Sequence, residues 1–143
     1  MFETIVVPID GSDHADRAAE RAFEIATHHE SSVHVICVVD TGPLGGYQLP
    51  GESEDAEAVI GARAETLLEK AVETAPEGVD ITTATPTGSA KTEIVDYADS
   101  VGADLVVMGS RGRGGVERLM LGSVTEHVTR TVDIDVLVRG ERD

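Results

Sequence analysis

The 143-residue chain carries 27 Asp and Glu against 11 Lys and Arg, a formal charge of −16. Such a balance repels phosphate-rich partners and argues against nucleic-acid backbone or an anionic membrane as the target. Aromatic residues make up 3% and tryptophan is absent, so the core must be aliphatic, which suits a parallel sheet covered by helices. The acid excess is scattered and lysine occurs only at Lys70 and Lys91, a pattern that reads as adaptation to a high-salt cytoplasm, with an ordinary acidic protein as the alternative. Cys37 stands alone, so neither an internal disulfide nor a CxxC pair exists. No apolar stretch approaches the length of a bilayer span, and Phe2 to Val7 follow the start with no basic leader. The expectation is a cytoplasmic chain without membrane insertion, forming one domain over residues 1–143.

In chain order, Ile5-Val6-Val7-Pro8-Ile9 reads as a buried strand closed by the turn Asp10-Gly11-Ser12. Ala15, Ala18, Ala19, Ala22, Phe23 and Ala26 then fall on one helical face, with Ser12 or Asp13 as the cap. Val33 to Val39 is a second strand, and the Gly- and Pro-rich stretch from Thr41 to Gly51 predicts a long loop beside a ligand or interface. Helix formers run from Ser53 to Ala75 before Pro76, and Val79 to Thr85 predicts a third strand. Ala90 to Val101 has helical spacing, Leu105 to Met108 is a fourth buried strand, Val124, Val128 and Thr131 mark a last helix, and Val136 to Val138 a fifth strand. Alternating strands and helices imply a parallel sheet with helices on both faces and ligands beyond the strands' carboxyl ends. That places Pro8 to Ser12, Val38 to Thr41 and Gly109 to Gly115 at the candidate site.

The most informative segment is Gly109-Ser110-Arg111-Gly112-Arg113-Gly114-Gly115, followed at Gly122-Ser123-Val124-Thr125 by a helix start. Phosphate oxygens need several short donors at close range, which glycine permits, and a helix N-terminus adds about half a positive charge. Arg111 or Arg113 would add charge. On composition alone, a plain strand-to-helix connection with Ser123 as its cap stays open. A Walker loop is absent because neither lysine follows glycine. A dinucleotide fingerprint fails because Gly112-Arg113-Gly114-Gly115-Val116-Glu117 lacks its last glycine and follows the fourth strand, not the first. A single Arg-Gly-Arg-Gly-Gly run without neighbouring aromatics also lacks the stacking partners of RNA-binding segments.

The spacing Gly109, Gly112, Gly122-Ser123 resembles the G-x2-G-x9-G-[S/T] signature of the ATP-binding branch of the universal stress protein family. So do the opening Ile5 to Ser12, the Val38-Val39-Asp40 strand end and Ala103 to Ser110. The resemblance implies a three-layer α/β/α Rossmann-like fold of the adenine nucleotide alpha hydrolase type, with a five-stranded parallel sheet and a homodimer joined through the last strand. It implies ATP as ligand, with AMP or ADP as alternatives and Mg2+ held by the phosphates. Carried over by position, Pro8, Ile9 and Asp10 border the adenosine, with Asp10 near the ribose, and Val38 lines the adenine pocket. Met108 and Gly109 meet the sugar and phosphates, while Gly112, Gly122, Ser123, Val124 and Thr125 hold the phosphate chain. Ala15 departs from the serine many relatives carry, and Asp133-Ile134-Asp135 from the proline common before the last strand.

Phosphoryl chemistry needs a base or positioned water and charge stabilisation, and no such set can be named. His14, His28, His29, His34 and His127 show no metal-ligand spacing, Asp10 and Asp13 read as caps, and no serine sits in a GxSxG elbow. The reading is a nucleotide-binding protein of regulatory or stress-response role. The alternatives are a slow ATPase or ATP-dependent switch, and a nucleotide-independent module that regulates a protein partner such as a transporter.

Overall fold

The computed structural model describes residues 2–40, 53–111 and 121–140, and for 53–56 the backbone alone. The long loop expected from Thr41 to Gly51, and Gly112 of the expected phosphate set, lie outside these residues. The described elements are β1 (Thr4–Pro8), α1 (Asp13–His29), β2 (Ser32–Ile36), α2 (Ser53–Glu73), β3 (Asp80–Ala84), α3 (Ala90–Ser100), β4 (Leu105–Gly109), α4 (Ser123–Thr131) and β5 (Asp135–Arg139). All neighbouring strands are parallel, in the order β3-β2-β1-β4-β5. The five-stranded parallel α/β fold expected from the alternation of elements is the one observed.

Strand alternation sorts the core into two layers. Ile5, Val7, Val33, Val35, Leu105 and Val107 face one side with α1 and α2, whereas Val6, Ile36, Val106 and Met108 face the other with α3 and α4. The α1 face toward the sheet is Ala15, Ala18, Ala19, Ala22 and Ala26 with Phe23, all buried. Alanine adds little bulk and costs no side-chain entropy, so this helix lies close against the central strands. Ser12 caps it by accepting from the Ala15 N–H at 3.1 Å, as expected for that position, while Asp13 and Asp16 in its first turn complement the helix dipole. Cys37 is buried, consistent with a structural thiol. No helix among the described residues is long and apolar enough to cross a membrane.

Most boundaries shift by a residue or two, and the largest difference from expectation is at β2. Its regular pairing ends at Ile36, not Val39, because β1 ends opposite it at Pro8. The chain beyond is bonded toward the β3 side: Cys37 N–H donates to Ala84 O at 3.1 Å and Val39 N–H to Pro86 O at 2.7 Å, and Val39 bridges Thr87.

Candidate functional site at the β1 and β4 carboxyl ends

Strand order reverses between β1 and β4, and there the sheet opens. β1 pairs with β2 over five residue pairs, but with β4 only at Ile5↔Leu105 and Val6↔Val106. The cause is local. Ile9 N–H donates to Ile36 O on β2 at 2.8 Å, so by alternation the nitrogen of Pro8 points at β4, where proline has no hydrogen to give. The two strands part beyond that point, leaving a crevice of the kind that parallel α/β proteins use for ligands.

The β1 rim is the turn Asp10-Gly11-Ser12. Asp10 accepts the Ser12 N–H at 2.9 Å through Oδ1, and Gly11 adopts φ +88°, a left-handed conformation that favours glycine. Leu67 and Arg63 of α2 lie against Gly11, where a Cβ would come within 3.3 Å of each. The β4 rim is Gly109-Ser110-Arg111. A Cβ on Gly109 would sit 2.6 Å from His14 Cβ and 2.7 Å from the His14 carbonyl carbon, so the strand end and the first turn of α1 touch backbone to backbone.

The two ends of the glycine-rich segment meet at this rim. Ser110 accepts the Gly122 N–H at 2.7 Å and its own N–H donates to Arg139 O at 3.1 Å. Thr125, buried in the first turn of α4, donates its hydroxyl to Gly109 O at 2.8 Å. Gly122 is the N-cap of α4, with no side-chain cap bond, so among the described residues no side chain caps the first amides of Ser123, Val124 and Thr125. That is an anion-accepting helix start by chemistry. Because the Thr125 hydroxyl proton is committed to Gly109, what Thr125 offers an anion is its backbone N–H.

The expected site residues therefore fall into three groups. Pro8, Ile9 and Asp10 stand on the β1 rim, and Met108, Gly109 and Arg111 on the β4 rim, with Gly122, Ser123, Val124 and Thr125 beside it. Val38 lies across β1 at the exit of β2, half-buried against the α3 side. Ile9 and Met108 are 6% and 5% exposed, so both are chiefly core residues that carry the rim rather than project from it. Two neighbours were not singled out by sequence. The turn Thr85 to Ser89 runs beside Val38, with Gly88 N–H donating to Val39 O at 2.9 Å and Asp40 accepting the Ala90 N–H at 3.4 Å. Its Pro86-Thr87-Gly88 turn chemistry ahead of a helix was the available signal. His14 faces Gly109, and its Nε2 lies 3.4 Å from an Arg111 guanidinium nitrogen. No spacing rule in the sequence links the two.

Partial burial, and then the negative charges of Asp13, Asp10 and Glu20, push the Asp16 carboxyl above its ordinary value, with Lys70 pulling it back. Among the described residues no three His, Cys, Asp or Glu side chains cluster as a metal site.

Together these features define a parallel α/β protein with Rossmann-type strand order and a crevice at its switch point, framed by glycine backbone and a helix start. The universal stress protein family model matches residues 1–139, and the chain belongs to that family. Universal stress protein MJ0531 of Methanocaldococcus jannaschii is 38% identical over 139 residues, covering 96% of this chain and 82% of the relative. The solved UspA of Lactobacillus plantarum superposes with a TM-score of 0.82 at 27% identity, covering 96% and 97% of the two chains. A universal stress protein crystallised in complex with cAMP matches with a TM-score of 0.63 at 29% identity, covering 97% of each chain.

Proposed function

We propose that this chain binds an adenine nucleotide across the β1/β4 crevice and serves a regulatory or stress-response role. In this reading Pro8, Ile9 and Asp10 border the adenosine, with Asp10 near the ribose, and Val38 lines the adenine side. Met108 and Gly109 floor the sugar and phosphates, and Gly112, Gly122, Ser123, Val124 and Thr125 with Arg111 hold the phosphate chain. ATP is the proposed ligand, AMP and ADP the alternatives, and Mg2+ would be held by the phosphates. The single observation that carries the reading is the closure of the glycine-rich segment. The Gly122–Ser110 bond of 2.7 Å sets the uncapped start of α4 beside the glycine end of β4 at the point where the sheet opens. Support for an adenine ligand comes from the family relative solved with cAMP.

The proposal includes one domain over residues 1–143, a homodimer joined through β5, whose outer edge has no strand partner among the described residues, and a cytoplasmic location. Mass spectrometry of small molecules released from the purified protein tests the ligand. ATP, ADP or AMP in stoichiometric amount supports the reading; a protein purified without nucleotide and not stabilised by any of the three contradicts it. Phosphate release from added ATP separates a passive binder from a slow ATPase.

A further inference from the structure

The β4 rim brings together two side chains of complementary chemistry that fold position alone does not require. Gly109 touches α1 at His14, and Arg111 follows two residues on, just past the end of β4. There its guanidinium nitrogen stands 3.4 Å from His14 Nε2. Arginine only donates, so this contact requires a neutral imidazole that accepts through Nε2 and carries its proton on Nδ1. Yet Nδ1 is buried and has no hydrogen-bond partner among the described residues. The ring is thus held in the tautomer whose N–H is unsatisfied, an arrangement native proteins seldom keep without a use.

Resting on the nucleotide reading above, we propose that His14 is a further phosphate contact of the site and takes up a proton as the phosphate binds. A phosphate at the start of α4 lies beside Gly109, to whose carbonyl Thr125 of α4 is bonded on one side while His14 packs on the other. An anion there replaces the Arg111–His14 contact with two charge-assisted donors, Arg111 and an imidazolium, and removes the repulsion that two neighbouring cations would otherwise feel. The charged groups nearest His14 on the elements packed against it are Asp10, Asp13, Asp16 and Arg17 around the start of α1, and Arg139, in register with Gly109 and on the same sheet face as Leu137.

Binding that draws a proton onto His14 tightens as pH falls, by at most about tenfold per pH unit. The test measures the Kd of AMP and of adenosine from pH 8 to pH 6 for the wild type and His14→Gln, whose amide oxygen accepts from Arg111 but does not titrate. AMP affinity of the wild type should rise relative to His14→Gln by about fivefold or more across that range, while adenosine shows no difference between them. Comparing the two proteins cancels the titration of AMP itself. Calorimetry of wild-type protein with AMP in two buffers of different ionisation enthalpy should report net proton uptake near pH 7, a readout that needs no variant. AMP binding with parallel pH profiles, or without uptake, overturns the role of His14 alone. Failure of both proteins to bind AMP at any pH overturns this inference, and failure to bind ATP and ADP as well overturns the nucleotide reading on which it rests.

Discussion

Thr125 shows how one hydroxyl ties the start of α4 to the end of β4. Its 2.8 Å bond to Gly109 O is buried, so Thr125→Val leaves a carbonyl without its partner and should cost about 1–3 kcal/mol. Urea unfolding should show that loss for Thr125→Val and far less for Thr125→Ser, which keeps the hydroxyl. Asp16 carries a penalty of the opposite kind. Its folded-state value lies above the ordinary 3.8, so its ionised form is disfavoured in the native state at neutral pH. Asp16→Asn should therefore raise stability at pH 7. The advantage should shrink as pH falls through the raised folded value and vanish once the carboxyl is protonated in the unfolded chain too. Stability curves of the two proteins from pH 7 to pH 3 check the sign; a constant gap would contradict it.

At the scale of elements, the two glycines that frame the site have different duties. Gly109 is demanded by the packing of α1 on β4: even alanine puts a Cβ 2.6 Å from His14, so Gly109→Ala should destabilise the fold by about 1–3 kcal/mol whatever it does to ligand. Gly109→Val is for the same reason not a clean test of binding. Gly122 has φ −66° and ψ 155°, open to any residue, and lacks only a capping side chain. Gly122→Asp should cap α4, hold or raise the melting temperature of the free protein, and weaken nucleotide binding at least tenfold by setting a carboxylate on the phosphate amides. Chemical denaturation and calorimetry on both variants separate the roles. The elements themselves were legible because their signals are local: the alanine face of α1, the continuous apolar runs of β1 and β4, and Ser12 as a cap. The candidate site was legible through glycine spacing along one segment. What was not legible depends on contacts between segments. The His14–Gly109 packing, the turn Thr85–Ser89 beside Val38, and the β1–β4 opening at Pro8 each need the strand order before they have meaning.

At the scale of the whole molecule, a charge of −16 on 143 residues is a self-repulsion that the compact state must bear. Screening lengths shrink from about 10 Å at 0.1 M salt to about 3 Å at 1 M. The melting temperature should accordingly rise from 0.1 to 1 M KCl, and a flat profile would remove the reading of the acidic surface as an adaptation to salt. The same surface repels free nucleotide at long range, so affinity has to come from the few donors gathered on the β4 rim. The most direct test of that central claim is the thermal unfolding of nucleotide-free protein, followed by circular dichroism because tryptophan is absent, with and without ATP, ADP or AMP. Ligand at a hundred times its Kd should add about 2.7 kcal/mol of stability and move the midpoint upward by several degrees. An unmoved midpoint with all three nucleotides at millimolar concentration would contradict the account.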